Sequence, residues 1–242
     1  MVDAHCHIDQ FRDPLGLARE TERLQIDTVA VTNLPSHYEL SVPHLLGFRF
    51  VRPAVGLHPL AAESHAAEIN RMLSLIEKVA FVGEVGLDFS RAGIGTRDIQ
   101  VASFRRIAGA LRGKCRFVTI HSRGAEGTVL EILTEHKLSP VVFHWFTGSR
   151  PVLHEVLARG HYLSINPAMI ASKNGQTIAA TIPLDRVLTE TDGPHVTVNG
   201  KPARPSTVSG VEEWLARHWK IEAQQIRSTI KRNFQGLVTN LR

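Results

Sequence analysis

Eight short apolar runs recur along this 242-residue chain, at residues 2–8, 28–34, 52–58, 81–88, 117–121, 140–146, 160–166 and 186–192. Each has strand length, and most are near-continuously apolar, as in Val141-Val142-Phe143. Strands buried on both faces read this way, and parallel sheets are built from them. Parallel neighbours need a crossover, so helices should lie between the runs. Residues 68–78 place Ile69, Met72, Leu73 and Ile76 on one helical face. The same spacing recurs at 98–111 and 128–136, while 150–158 carries Pro151 at a first-turn position and Gly160 beyond its end. Residues 211–219 and 224–241 read as two closing helices, and 91–97 and 196–206 read as loops.

Strand then helix, eight times, predicts a TIM (β/α)8 barrel: one α/β domain over residues 1–242 with C-terminal closing helices. A doubly wound open sheet is the rival, but no Gly-rich phosphate loop follows the first run. Hydrophobic residues make up 43% of the chain, enough for a large core. Only two cysteines occur, Cys6 and Cys115, which argues against a disulfide scaffold and suggests two small core residues. No signal-like segment leads the chain, and no run is long enough to span a bilayer, so a cytoplasmic protein is expected. The net charge of +5 suits a polyanionic substrate, although ordinary solubility accounts for it equally.

Chemistry concentrates at the C-terminal ends of the runs, the rim where barrel active sites form. His5 and His7 alternate onto one face of the first run. Glu84 sits inside an apolar run, where an unpaired carboxylate would be costly; an ion or a buried salt bridge would compensate. His121, His144 and Asp192 end three later runs, and all six are metal-ligand types. Asp88 reads as a group that orients a ligand histidine or caps a turn. Glu190 reads as a partner of the site or a charge inside the barrel. His58 reads as a substrate contact or leaving-group acid, and Arg123 as a fork for a phosphate. Most of His37, His44, His65, His136, His154, His161, His195 and His218 read as surface residues.

Six stretches then match one family in order: residues 3–9, 56–59, 83–89, 120–123, 144–148 and 190–194. Together they resemble the TatD family of metal-dependent deoxyribonucleases, within the amidohydrolase-like superfamily. Asn233 resembles that family's C-terminal asparagine. The resemblance implies a one- or two-metal centre. His5, His7, Glu84 and Asp192 would hold one ion; Glu84, His121 and His144 would hold another, with Glu84 bridging. Trp145, Phe89 and Gly193 depart from the residues usual at their positions.

The expected chemistry is hydrolysis of phosphodiester bonds at DNA ends, with zinc, magnesium or manganese activating water. Asp192 would accept the water proton, Arg123 would meet phosphoryl charge and His58 would protonate the leaving oxygen. Trp145, Phe146 and Phe89 are candidate stacking surfaces for a single strand, or else core residues. Two rivals remain: a small-molecule amidohydrolase, and an accessory subunit of a nucleic-acid-processing assembly. For the latter, Lys220, Arg227, Lys231 and Arg232 would form a docking face.

Overall fold

All eight apolar runs pair in chain order as parallel strands. The structure is a computed structural model and describes residues 1–239 and 241. The strands are β1 Val2–Cys6, β2 Asp27–Val31, β3 Val51–Leu57, β4 Phe81–Gly86, β5 Phe117–His121, β6 Val142–His144, β7 Tyr162–Ile165 and β8 Val187–Thr189. The ring is sealed where β8 meets β1. Thr189 Oγ1 donates to the Val2 carbonyl at 2.5 Å, and Asp192 N donates to the His5 carbonyl at 2.9 Å. Asp3, fully buried, accepts from Thr191 N at 2.9 Å and Thr191 Oγ1 at 2.6 Å. The eight-stranded barrel predicted from periodicity is therefore the fold.

Helices α1 Pro14–Arg23, α2 Pro35–Leu45, α3 His65–Ile76, α4 Arg97–Leu111, α5 Glu126–Glu135 and α6 Arg150–Ala158 pack around the strands. Two more, α7 Pro167–Ala171 and α8 Lys173–Thr181, fill the last crossover. They start at side-chain caps: Asn166 accepts from Met169 N, and Ser172 accepts from Gly175 N. The core lies between strands and helices, where Phe104, Phe117 and Phe143 are among the largest fully buried side chains.

The tail forms α9 Val208–Trp219 and α10 Ala223–Val238. The range 224–241 runs through Asn240, which lies outside the described residues. α10 buries Ile226, Ile230 and Phe234. Asn233 Nδ2 donates to the carbonyls of Leu184 (2.9 Å) and Val187 (2.8 Å), which ties the tail to the start of β8. Two tail cations serve the same end. Arg227 pairs with Glu212 at 2.7 Å, and Lys231 approaches Asp27 at 3.4 Å. They hold the helix down.

Several local expectations change. Cys115 is exposed, because it precedes β5 at the barrel's far end; Cys6 is buried as expected. The segment 91–97 contains a 3-10 turn at Ile94–Thr96, and Arg97 already belongs to α4. Within 196–206, β9 Thr197–Val198 pairs antiparallel with β10 Lys201–Pro202. His65 and His161 are buried rather than at the surface.

His161 yields a stability prediction. Val141 N donates to its Nδ1 at 3.3 Å, which fixes the ring neutral. Burial, then nearby Arg159, pushes its pKa down from 6.5 to about 4. Between those values the unfolded chain binds more protons, so stability present above pH 6.5 is lost as pH falls toward 4. The loss is on the order of 2–3 kcal/mol. Urea unfolding at pH 7 and pH 4.5 should show a smaller loss for His161→Gln than for the parent; equal losses would contradict this.

Candidate metal centre at the barrel rim

The functional side chains rise from the C-terminal ends of six strands. His5 lies in β1 and His7 follows it. Glu84 lies in β4, while His121 and His144 are the last residues of β5 and β6. His58 directly follows β3, and Asp192 stands just beyond β8. Asp192 has φ of 49°, and Trp145, after β6, has φ of 39°. Left-handed backbone at non-glycine residues is uncommon and clusters at functional sites. Gly86 shows why β4 and β5 approach closely: a Cβ there would lie 2.0 Å from the His121 carbonyl oxygen, and its φ is 141°.

Glu84 is the hub, and it is 1% exposed. Its Oε2 faces His5 Nε2 at 3.4 Å, His7 Nε2 at 3.2 Å and His58 Nε2 at 3.3 Å. Its Oε1 faces His121 Nδ1 at 2.6 Å and His144 Nε2 at 2.8 Å. Asp192 Oδ1 completes the first group, 3.8 Å from His5 Nε2 and 3.6 Å from His7 Nε2. A tetrahedral ion with ligand bonds of about 2.1 Å holds its donors about 3.4 Å apart. The first group matches that spacing. Three overlapping sets have all donor atoms within 4.8 Å: His5, His144 and Asp192; His5, His7 and Glu84; His58, Glu84 and His121.

The outward nitrogens are held by partners. Thr119 Oγ1 lies 2.9 Å from His5 Nδ1, and Gln10 lies 3.1 Å from His7 Nδ1. Asp88 Oδ2 lies 2.8 Å from His121 Nε2. Thr119 Oγ1 can accept the His5 Nδ1 proton, which turns the Nε2 lone pair inward, and that buried Nε2 has no hydrogen-bond partner among the described residues. An electron-pair acceptor would satisfy that atom, so the residues fit a divalent cation. His58 differs: its Nδ1 accepts from Leu60 N at 3.0 Å, which leaves its ring proton on Nε2, facing the cleft. Among the described residues no lysine or arginine pairs with Glu84; the imidazoles take both of its oxygens.

Electrostatics follow from this crowding. Burial alone would lift Glu84, but His58, His144, His5 and His121 outweigh it and hold the carboxyl well below its ordinary range. Burial would likewise depress His144 and His121, yet Glu84 lifts both. His5 goes the other way; burial, then His144, holds it well below 6.5. Burial pushes Asp192 up to about 7, with Glu84 adding to the rise. Asp88 sits at about 2: burial opposes, but hydrogen bonds from His121 and Ser90 prevail. Glu190 is fully buried inside the barrel. It accepts from Trp145 N and Asn166 Nδ2, both at 3.0 Å, and from the Ser164 hydroxyl. It also stands 3.6 Å from His144 Nδ1, and so braces β6 from behind.

A cleft of about 540 Å³ opens over this floor, lined in part by His58, Arg123, Trp145 and Asp192. Two of the stacking candidates fall away. Phe146 is fully buried, and Phe89 packs against the core with Arg97 over its ring at 4.9 Å. Only Trp145 faces the cleft. Sequence reasoning did not single out Asn33, Leu60, Ala61, Ser122 or Thr147, which also line the cleft. His195 is exposed, as expected of a surface histidine, and also lines the cleft, its ring 4.9 Å from that of His7. Asn33 stands near the end of the second apolar run, the signal that singled out the other rim residues.

Similarity to known proteins agrees with this geometry. The family model described as TatD related DNase matches residues 2–239. YcfH of Escherichia coli K12, named as an uncharacterized metal-dependent hydrolase, is 30% identical over 98% of this chain and 95% of its own length. The human protein named deoxyribonuclease TATDN3 is 28% identical over 100% of this chain and 96% of its own. The crystal structure of YJJV, a TatD homolog from Escherichia coli K12, superposes with a TM-score of 0.86 at 22% identity. It covers 99% of this chain and 98% of that one, which carries the barrel. Among the described residues, no helix is long and apolar enough to cross a membrane. With its sequence matched almost end to end, the chain belongs to the TatD family of metal-dependent hydrolases.

Proposed function

We propose that this chain is a deoxyribonuclease that removes nucleotides from DNA ends, using one or two divalent ions held by His5, His7, Glu84, His121, His144 and Asp192. The observation that carries the reading is the placement of Glu84. One of its oxygens meets His5 and His7, and the other meets His121 and His144. When bound, a divalent cation such as zinc, magnesium or manganese makes water acidic enough to deprotonate near neutral pH and offsets phosphoryl charge. Asp192, at the edge of the first group, accepts the water proton. Arg123, exposed at the cleft and able to fork, binds a non-bridging phosphate oxygen. His58 presents its Nε2–H to the leaving oxygen. Trp145 offers a face on which a base of a single strand stacks.

The name of the human relative, deoxyribonuclease TATDN3, supports the choice of DNA, and the chain's +5 charge suits a polyanion. The free thiols of Cys6 and Cys115 fit a reducing cytoplasm. The amidohydrolase reading is weaker, because no lysine lines the cleft among the described residues. Chelation should lower cleavage of single-stranded DNA by at least about 100-fold, with recovery on return of manganese, magnesium or zinc. Cleavage that persists through exhaustive chelation would contradict the reading.

Asp88 supplies a second expectation. Its carboxylate fixes the proton of His121 on Nε2 and leaves Nδ1 free to ligate. Asp88→Asn offers an amide N–H to the same nitrogen and favours the wrong tautomer. Ion affinity should fall about 10- to 100-fold. Titration calorimetry with manganese reads this directly, and an unchanged affinity would remove Asp88 from the proposed centre.

A further inference from the structure

Asn33 is a polar group in the cleft to which the proposed chemistry gives no role. Asn33 follows β2, a strand that supplies none of the six proposed ligands. Its backbone carbonyl accepts from His58 N at 2.8 Å, which anchors it beside the histidine that faces Glu84. Its side-chain Oδ1 is buried and has no hydrogen-bond partner among the described residues. Buried acceptors are almost always satisfied, and an exception in a cleft points to a group that arrives with a ligand.

The chemistry of that atom narrows what arrives. A phosphodiester brings only acceptor oxygens at neutral pH, so the phosphate is served by cations and N–H donors. An amide oxygen needs the opposite, an N–H or O–H. We infer that Asn33 is a specificity-determining residue whose amide turns toward the cleft and accepts, through Oδ1, a hydrogen bond from a donor on the nucleotide next to the scissile phosphate. This rests on the nuclease reading above. Two parts of a DNA end carry such donors: a terminal sugar hydroxyl, and the N–H groups of a base edge.

The test compares two substrates of the manganese-loaded protein. One is a labelled single-stranded oligodeoxynucleotide. The other is bis(4-nitrophenyl) phosphate, a phosphodiester with neither N–H nor O–H. In Asn33→Ala, the ratio of kcat/KM on DNA to kcat/KM on the aryl diester should fall at least about tenfold. A structural defect would lower both together, and that outcome overturns the assignment, as does an unchanged ratio. Oligonucleotides lacking terminal hydroxyls, or carrying abasic terminal nucleotides, identify the donor. The parent and variant should converge on the substrate that lacks it. A difference that survives both replacements also overturns the assignment. A parent protein that cleaves the aryl diester but no DNA would instead refute the nuclease reading, and this inference with it.

Discussion

Glu84→Ala should lose bound metal and turnover together while the barrel stays folded. The carboxylate touches both histidine pairs, so its removal strips a donor from each at once. It also removes the negative charge that lifts His121 and His144 and attracts a cation to the floor. The expected fall in kcat/KM on DNA is on the order of 1,000-fold or more, about 4 kcal/mol of transition-state stabilisation. Elemental analysis of protein purified without chelator should find metal in the parent and none in the variant. Circular dichroism should show a cooperative transition for both, because the barrel is sealed elsewhere, through Asp3, Thr189 and Thr191. A variant that keeps stoichiometric metal would show that the ion sits away from Glu84.

Gly56→Ala should damage fold and site together. Gly56 lies in β3, where β2 and β4 approach from either side. A Cβ there would lie 1.8 Å from the Thr32 carbonyl oxygen, 2.5 Å from Glu84 N and 2.8 Å from Glu84 O. All three are backbone atoms, so no side chain can swing aside. Relief requires β2 or β4 to shift, and β4 carries the hub carboxylate. We expect a loss of about 3 kcal/mol or more in chemical denaturation. Ion affinity should fall alongside it, since sub-ångström placement governs the donors. Gly210→Ala, within α9 and with open space around its Cβ, should leave both nearly unchanged. Parent-like stability in Gly56→Ala would mean the sheet yields more readily than its packing indicates.

Much of this was legible in the chain, for identifiable reasons. β5 matches its expected range because its apolar run stops where its ladder stops. Other runs extend past their strands. Residues 187–192 are all buried, but regular pairing stops at Thr189, and the backbone turns left-handed at Asp192. Burial there reflects the site rather than the sheet. Helices α1 and α2 gave weak signals for different reasons: α1 is amphipathic but poor in apolar residues, and α2 lacks a clear apolar face. α1 buries only Leu17, Ala18 and Thr21, and α2 contains Pro43 and leaves Leu40 exposed. Rim position identified the ligand-type residues because charged groups at the ends of apolar runs need compensation. It passed over Asn33, whose neutral amide raises no such demand, and His195, which no strand carries. Burial of His65 and His161 was hidden because a histidine satisfied by backbone reads like any other in sequence.

The central claim is spatial and concerns a shared ion site around one carboxylate. Crystals soaked in manganese, measured for anomalous scattering, test it without reference to any substrate. We predict anomalous density against Glu84, on the His5–His7 side, the His121–His144 side, or both. Density confined to other parts of the molecule, with the six side chains binding nothing, would contradict it.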